Sequence, residues 1–553
     1  MSEKKIEDEA TVEIFVDGHS DDVPKPQAPH RNYLTHRKLK PRHVQLIGVG
    51  GSIGTALFVQ LGGVLIKGGA ASLFIAFTFW SFIIVLVTNS TAEMVTYFPV
   101  NSPFIHLAGR CVDPAFEVMS GWNFFILQAT LVPFEITAFT MIIQYWVPNI
   151  NPVTTVVPQL AAYFLINMCV SVRWYGEVEF WLAISKVLLI VGLLLFVFIA
   201  MVGGNPKNWA FGFHNWNAAP AEPFLEYLNV GALGRFLGFA ACLSAASYYV
   251  AGPDYVAIAA GEAIAPRKTL PIAFKGVCIR LTIFFAMGSL AMGIICSARD
   301  PKLLAAYQNG GSTDASASPY VVGMMNLGIK VLPDIVNGAV LLSAFSAGNS
   351  YFFCASRSLY GLARNGHAPA VFKICTKSGV PWVASLVVCG FALLGLMQLR
   401  DSAFSVLSWI VALGTVSELV NYCLMQVTYL KFYYACKAQG VDRTKFAYCG
   451  PFQPYCAYIA FVATFSMVFL AGWQVFYSGQ WSTLTFIFNY IMIPVNIIIY
   501  FGWKFWKKTK WFKSSEVDLV SGLEDVDAHE REVTYPPPKN VVEKVWRTII
   551  GDL

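Results

Sequence analysis

The chain has 553 residues, of which 56% are hydrophobic and only 13% are charged, and its mean hydropathy is +0.55. A soluble domain carries about 25% charged residues, so this composition excludes an ordinary soluble enzyme. The net charge of +6 is concentrated beside long apolar runs, which indicates membrane topology and argues against nucleic-acid binding.

The apolar runs predict an all-α polytopic membrane protein of about twelve transmembrane helices. A span needs roughly 20 mostly apolar residues, and these runs lack the alternation that is typical of a membrane β-barrel. In chain order, the predicted spans cover residues 44–66, 71–98, 118–145, 156–172, 179–202, 236–260, 272–296, 331–362, 382–399, 406–432, 455–476 and 484–503.

The placement of Lys and Arg predicts the topology. An even number of spans puts both termini on one side, and both the N-terminal segment and residues 504–513 are basic. Because cytoplasmic loops carry the excess of Lys and Arg, both termini are expected in the cytoplasm. The predicted organisation is a cytoplasmic tail (1–43), a transmembrane domain (44–503) and a second cytoplasmic tail (504–553).

Two of the spans are interrupted. The first contains a glycine-rich stretch at residues 48–55, and the sixth contains Ala251-Gly252-Pro253-Asp254. Glycine loosens a helix, and proline removes a backbone donor. Matched breaks in the first and sixth spans are typical of two inverted five-helix repeats, here with two further C-terminal helices. The alternative is that glycine only permits close helix packing.

Broken helices suit a zwitterion because they leave backbone groups unpaired in the membrane. The N-terminal end of a half-helix favours a carboxylate, and free carbonyls favour an ammonium group. The candidates for the carboxylate are Gly51, Ser52, Gly54 and Thr55. The candidates for the ammonium group are Tyr249, Val250 and Gly252.

Ionisable residues within spans are costly and mark functional sites. Lys186 lies well inside the fifth span and is the candidate for proton coupling, because a buried lysine gains and loses a proton readily. Glu135 and Glu418 are candidates for lining the pathway, and Asp254, which follows the second break, is a candidate for the substrate-binding site. A static role in a charge or hydrogen-bond network is the alternative for each of them.

Ser346 and Asn349 belong to a polar helix face that either lines the pathway or joins helices. The chain has no phosphate-binding loop, and neither a cofactor nor a metal site is expected. A membrane-embedded acyltransferase is a rival, but the sequence offers no intramembrane histidine with a polar partner for it.

Residues 42–47, followed by Gly50-Gly51-Ser52-Ile53-Gly54-Thr55, resemble the first-helix signature of fungal amino acid permeases of the amino acid–polyamine–organocation superfamily. The resemblance extends over roughly residues 35–510. The further motifs that carry it, in chain order, lie at residues 92–94, 134–137, 175–181, 260–268, 345–350, 356–360 and 438–440.

This resemblance implies a LeuT-like fold, with five-plus-five inverted repeats and two extra helices, and proton-coupled amino acid uptake at the plasma membrane. It adds Ala56 to the carboxylate site, makes Tyr248 an aromatic gate, and links Lys186 to proton coupling. Ser52, Ala56 and Pro253-Asp254 depart from the common family pattern, which leaves the substrate open. A subgroup linked to carnitine and polyamine uptake is similar, and a nutrient receptor with little transport is the alternative function.

The expected partners are an amino acid, protons and the lipid bilayer. Lys4 and Lys5, beside Glu7, Asp8 and Glu9, are candidate sites for a ubiquitin ligase or its adaptor. The alternative is that this tail is simply a solvated polar segment.

Overall fold

The computed structural model describes residues 44, 54–100, 102–147, 150–169, 172–217, 222–250, 252–308, 318–376, 379–400 and 403–532. These residues form helices and connecting loops, without a β-strand among them. The α-helices are α1 Leu61–Tyr97, α2 Pro103–Cys111, α3 Pro114–Ile143, α4 Val153–Cys169, α5 Val172–Met201, α6 His214–Asn217, α7 Gly231–Tyr249, α8 Pro253–Ile258, α9 Pro266–Arg280, α10 Gly288–Ile295, α11 Pro301–Gln308, α12 Pro319–Asn326, α13 Leu332–Arg364, α14 Trp382–Ala392, α15 Ala403–Ala438, α16 Tyr455–Leu470, α17 Thr483–Tyr490, α18 Met492–Lys507 and α19 Leu523–Glu532.

The membrane-spanning character of these helices is confirmed. Within the described ranges, eight helical stretches are long and apolar enough to cross a bilayer, or nine if the bent pair α17 and α18 is one span. Two predicted spans correspond to α4 and α16, which are apolar but shorter. The predicted count of twelve is therefore not confirmed as such, whereas the all-α membrane architecture is.

The first two predicted spans are joined without a loop. One helical stretch runs from Leu57 to Tyr97 and is bent at Gly69, whose φ of 83° and ψ of 172° lie outside the helical region. A Cβ atom at Gly69 would lie 2.6 Å from the carbonyl oxygen of Pro223, so both the positive φ and the close approach require glycine. The bend turns the chain without interrupting the apolar pattern.

Helix α3 lies at the centre of the bundle. It packs most extensively against α13 and α15, and most of its residues are buried. Pro133 lies inside this helix, where it removes one backbone donor, and the Thr137 hydroxyl donates to the carbonyl oxygen of Pro133 at 2.8 Å. This position brings Glu135, two residues after the proline, into the interior of the protein.

The chain after α18 packs across one end of the bundle. The Phe512 amide donates to the carbonyl oxygen of Val112 at 2.9 Å, and the Gln439 side chain donates to the carbonyl oxygen of Val517 at 2.7 Å. In α19, Asp527 pairs with Arg267 at the start of α9. The described part of the predicted C-terminal tail is therefore docked on the ends of α2, α9 and α15.

An ion pair at this end joins α18 to the start of α3. Lys504 donates to the carboxylate of Asp113, which also accepts the backbone N–H of Ala115 at 2.9 Å. Burial opposes ionisation of Asp113, but these hydrogen bonds overcome that effect and hold the pKa of Asp113 below its ordinary value. Asp113 is consequently an anion at neutral pH.

A second carboxylate, Glu93 near the end of α1, is fully buried and bound from several sides. Arg443 donates to its two oxygens at 2.6 Å and 2.8 Å, the Tyr429 hydroxyl donates at 3.0 Å, and the Gly450 amide donates at 2.8 Å. This bidentate pair fixes the loop after α15 to the end of α1.

Arg443→Ala is expected to destabilise the protein by about 3 kcal/mol, because it leaves the buried Glu93 carboxylate without its counter-charge. Lys445→Ala is the control: the Lys445 side chain is 83% exposed and lies 4.0 Å from Asp442. Such exposed pairs contribute about 0–1 kcal/mol. Thermal unfolding of the detergent-purified variants measures the difference, and equal midpoints would contradict this interpretation.

Candidate functional site

The first break is described from Gly54 onward, so Gly51 and Ser52 lie outside the described residues. Gly54 and Thr55 precede a π-helical turn, Ala56–Gln60, which leads into α1. The fully buried Thr55 binds Glu135 of α3 twice: its hydroxyl donates to Oε2 at 2.8 Å, and its backbone N–H donates to Oε1 at 3.3 Å. The Thr55 amide predicted to bind a substrate carboxylate is thus bound to a protein carboxylate in this structure.

Gly54 lies directly against the same carboxylate. A Cβ atom at Gly54 would come within 2.1 Å of Glu135 Oε1, a distance at which the two atoms cannot coexist. The absence of a side chain at Gly54 is therefore what allows Glu135 to reach Thr55.

The second break lies at the predicted position. Helix α7 ends at Tyr249, and α8 begins at Pro253 after Gly252. Val250 has a φ of −87° and a ψ of 86°, so the backbone leaves the helical path there. Carbonyl groups of the last turn of α7 consequently lack the amide partners that a continuous helix would supply.

The tyrosines before this break pack against other helices. The Tyr249 hydroxyl donates to Gln60 Oε1 at 2.9 Å, which joins the end of α7 to the π-helical turn after the first break. The Tyr248 ring packs edge-on against Phe134 of α3 at 5.8 Å and faces Gly414 of α15. The residues predicted to bind the carboxylate and those predicted to bind the ammonium group therefore both contact α3 or the first helical stretch.

Lys186 lies in the interior, with 1% of its side chain exposed. Its ammonium group is within electrostatic range of two buried carboxylates, Glu179 of the same helix and Glu135 of α3. Glu179 accepts hydrogen bonds from the Ser346 hydroxyl of α13 at 3.2 Å and 3.3 Å. Lys186, Glu135 and Glu179 form a buried charge cluster, which connects through Glu135 to the first break.

The other predicted pathway residues are engaged between helices. Asn349 Oδ1 accepts a hydrogen bond from Asn167 of α4 at 2.9 Å. Glu418 of α15 is buried and lies within electrostatic range of Asp254, at the start of α8. The structure thus separates the predicted ionisable residues into the Lys186 cluster and the Asp254–Glu418 pair.

Sequence reasoning did not select Glu179 or Gln60 as site residues. Glu179 lies seven residues before Lys186, a spacing of two helical turns that puts both on one face of α5, so this signal was present. Gln60 had no comparable signal, because its role depends on a hydrogen bond to Tyr249, 189 residues away.

The amino acid permease family model matches residues 43–515 of the chain. The chain belongs to the amino acid permease family. The permease is 43% identical over 533 residues to the general amino acid permease AGP2 of Saccharomyces cerevisiae, covering 95% of this chain and 89% of that relative. It is 36% identical to the proline-specific permease of Emericella nidulans, covering 93% of each chain.

The fold is similar to that of a solved manganese transporter of Eremococcus coleocola, with a TM-score of 0.52 at 13% identity. The alignment covers 90% of the permease and 99% of that transporter. The similarity to this solved structure supports the LeuT-like architecture, whose inverted repeats the two breaks predicted. Family membership confirms that the chain is a transporter of amino acids and not an enzyme.

Proposed function

We propose that the permease is a proton-coupled symporter that carries amino acids across the plasma membrane. The observation that carries this proposal is the link between Thr55 at the first break, the Glu135 carboxylate and the Lys186 ammonium group. A substrate carboxylate and Glu135 compete for the same Thr55 donors, so substrate binding changes the surroundings of the charge cluster.

This competition suggests how substrate and proton are coupled. When a substrate carboxylate takes the Thr55 hydroxyl and amide, Glu135 loses both of these donors. A buried carboxylate without donors is costly as an anion. Glu135 then either takes up a proton, which changes the net charge of the cluster, or turns towards Lys186, which changes the position of its charge. In both cases the state of the cluster depends on whether substrate is bound.

The backbone near the second break is the proposed site of the substrate amine. Carbonyl groups around Tyr249 and Val250 suit an ammonium donor, and the buried Tyr248 ring covers this end of the site. Gly252, as the residue before α8, lets the chain change direction there. The proposed carboxylate side also includes Gly51, Ser52, Gly54 and Ala56.

The proposed topology has both termini in the cytoplasm, with tails at residues 1–43 and 504–553. It is supported by the contacts of the C-terminal segment: Arg267 and Gln439, from two loops predicted to be cytoplasmic, both bind this segment. A ubiquitin ligase or adaptor is the proposed partner of the tails, and Lys4 and Lys5 would be its acceptor sites.

The names of these two relatives, a general amino acid permease and a proline-specific permease, favour an amino acid as the substrate. Uptake of labelled L-amino acids, carnitine and spermidine into permease-deficient yeast tests this. We expect accumulation of one or more amino acids that a protonophore abolishes. Specific binding without accumulation would instead indicate a receptor, and uptake that ignores the protonophore would contradict proton coupling.

A further inference from the structure

Two buried carboxyl groups lie outside the charge cluster of Lys186. Asp254, at the start of α8, is fully buried, and neither of its oxygens has a hydrogen-bond partner among the described residues. Glu418 of α15 is 4% exposed, and its Oε1 also lacks a partner within the described chain. The two groups are within electrostatic range of each other, so charge on one opposes charge on the other.

Among the described residues, the surroundings of this pair supply no positive charge. The ionisable groups that face it from the described helices are Tyr248 of α7, Tyr255 of α8, Tyr351 and Cys354 of α13 and Tyr422 of α15. Glu135 of α3 also lies within electrostatic range of Tyr248 and Tyr351. None of these groups is a lysine, an arginine or a histidine.

A further unpaired acceptor lies nearby. Gln128 of α3 is fully buried, and its Nε2 donates to the Tyr255 hydroxyl at 3.4 Å. Its Oε1 has no partner in the part of the chain that the structure describes, and neither has the hydroxyl of Tyr422. The unpaired carboxyl and amide oxygens of Asp254, Glu418 and Gln128 are all acceptors, and the single O–H of Tyr422 can donate to only one of them.

Two ionised carboxylates in this environment would be prohibitively costly, because neither is paired or solvated. The described residues contain no group of three or more His, Cys, Asp or Glu that could hold a metal ion, and removal of Na⁺ and K⁺ tests for an alkali cation. A proton bound to one carboxylate removes its negative charge and turns it into an O–H donor, and it requires no cavity between the side chains. Two carboxyl groups that share one proton are a known solution to this conflict.

We propose that Asp254 and Glu418 form a second proton-binding site, which holds at least one proton between them. This inference rests on the proposed symport and adds a second site to the charge cluster of Lys186. Asp254 adjoins Gly252 at the second break, and Glu418 is in α15, which packs against α7. Loss of the proton would leave two like charges between α8 and α15, and their repulsion would act on the break itself.

Infrared difference spectroscopy of the purified full-length protein tests this without any substrate. At neutral pH we expect the C=O stretch of a protonated carboxylic acid, shifted when the protein contains isotopically labelled aspartate. Asp113 is the other buried aspartate of the described chain, and it is ionised by its hydrogen bonds with Lys504 and Ala115. The aspartate-sensitive band therefore reports Asp254, in a protein that carries no substitution.

Two variants assign the band further. Asp254→Asn should remove the aspartate-sensitive band, and Glu418→Gln should shift it, because the proton then has no carboxyl partner. Asp334→Asn is the control: Asp334 is an exposed carboxyl on α13, and its loss should leave the band unchanged. An unshifted band in labelled wild-type protein, or a band that appears only when Na⁺ and K⁺ are removed, would overturn the proposal.

Uptake measurements separate this inference from the proposed function. If the symport is correct, Asp254→Asn and Glu418→Gln should each reduce the change in amino acid uptake between acidic and neutral external pH by at least about tenfold, which corresponds to about 1.4 kcal/mol. A positive infrared result with protonophore-insensitive uptake in the wild type would contradict the symport and leave the proton site standing. A negative infrared result together with protonophore-sensitive uptake would contradict the proton site and leave the symport standing.

Discussion

Lys186→Gln is expected to reduce proton-driven amino acid uptake by ~100-fold or more and to remove its dependence on external pH. The substitution leaves the buried carboxylates of Glu135 and Glu179 without their shared positive charge. Breaking a buried charge interaction in this way costs about 3–5 kcal/mol, and each 1.4 kcal/mol corresponds to a tenfold change.

The experiment must distinguish a lost proton site from a destabilised protein. Lys207→Gln is the matched control, since Lys207 lies exposed in the loop after α5. The double variant Glu179→Gln, Lys186→Gln removes one of the unpaired charges, so it should recover protein abundance and thermal stability without recovering pH dependence. A Lys186→Gln variant that keeps the wild-type pH profile would give the lysine a structural role.

Much of the fold can be predicted from the sequence because the bilayer requires long apolar helices. Lys186 also stands out in the sequence, as a cation inside an apolar run. The position of the second break follows from Gly252 and Pro253, whose backbone preferences act locally. These predictions all depend on composition or on neighbouring residues.

The remaining features depend on contacts between distant residues. Whether Lys186 of α5 meets Glu135 of α3 depends on how these helices are arranged in the bundle, and no local pattern encodes that arrangement. The bend at Gly69 was not predicted because the residues around it remain apolar. Likewise, the polar composition after residue 507 predicts a tail, although Val517 and Leu519 are buried against the helix ends.

The contact between Gly54 and Glu135 depends both on a local sequence pattern and on the packing of distant residues. The glycines of the first span were predicted to break the helix and leave backbone groups free to bind a substrate. In the structure, the more specific reason for glycine at residue 54 is a carboxylate from α3. The sequence indicates that a small residue is needed there, and only the packing of α3 shows why.

Gly54→Ala is accordingly expected to reduce amino acid uptake by about 10- to 100-fold. The new Cβ atom would lie 2.1 Å from Glu135 Oε1, so the carboxylate must move and lose its bonds to Thr55. A hydrogen bond to a charged group contributes about 1.5–3 kcal/mol, which sets the expected range. Initial uptake rates, normalised to the amount of protein at the cell surface, measure the effect.

Gly192→Ala is the matched control, because Gly192 is inside α5 and a Cβ atom there would meet nothing within 4 Å. Its uptake should equal that of the wild type. Adding Glu135→Asp to Gly54→Ala shortens the carboxylate by one methylene group and makes room for the new methyl, so part of the uptake should return. Wild-type uptake in Gly54→Ala would show that the Thr55–Glu135 contact is dispensable, and the proposed competition between Glu135 and the substrate carboxylate would then fail.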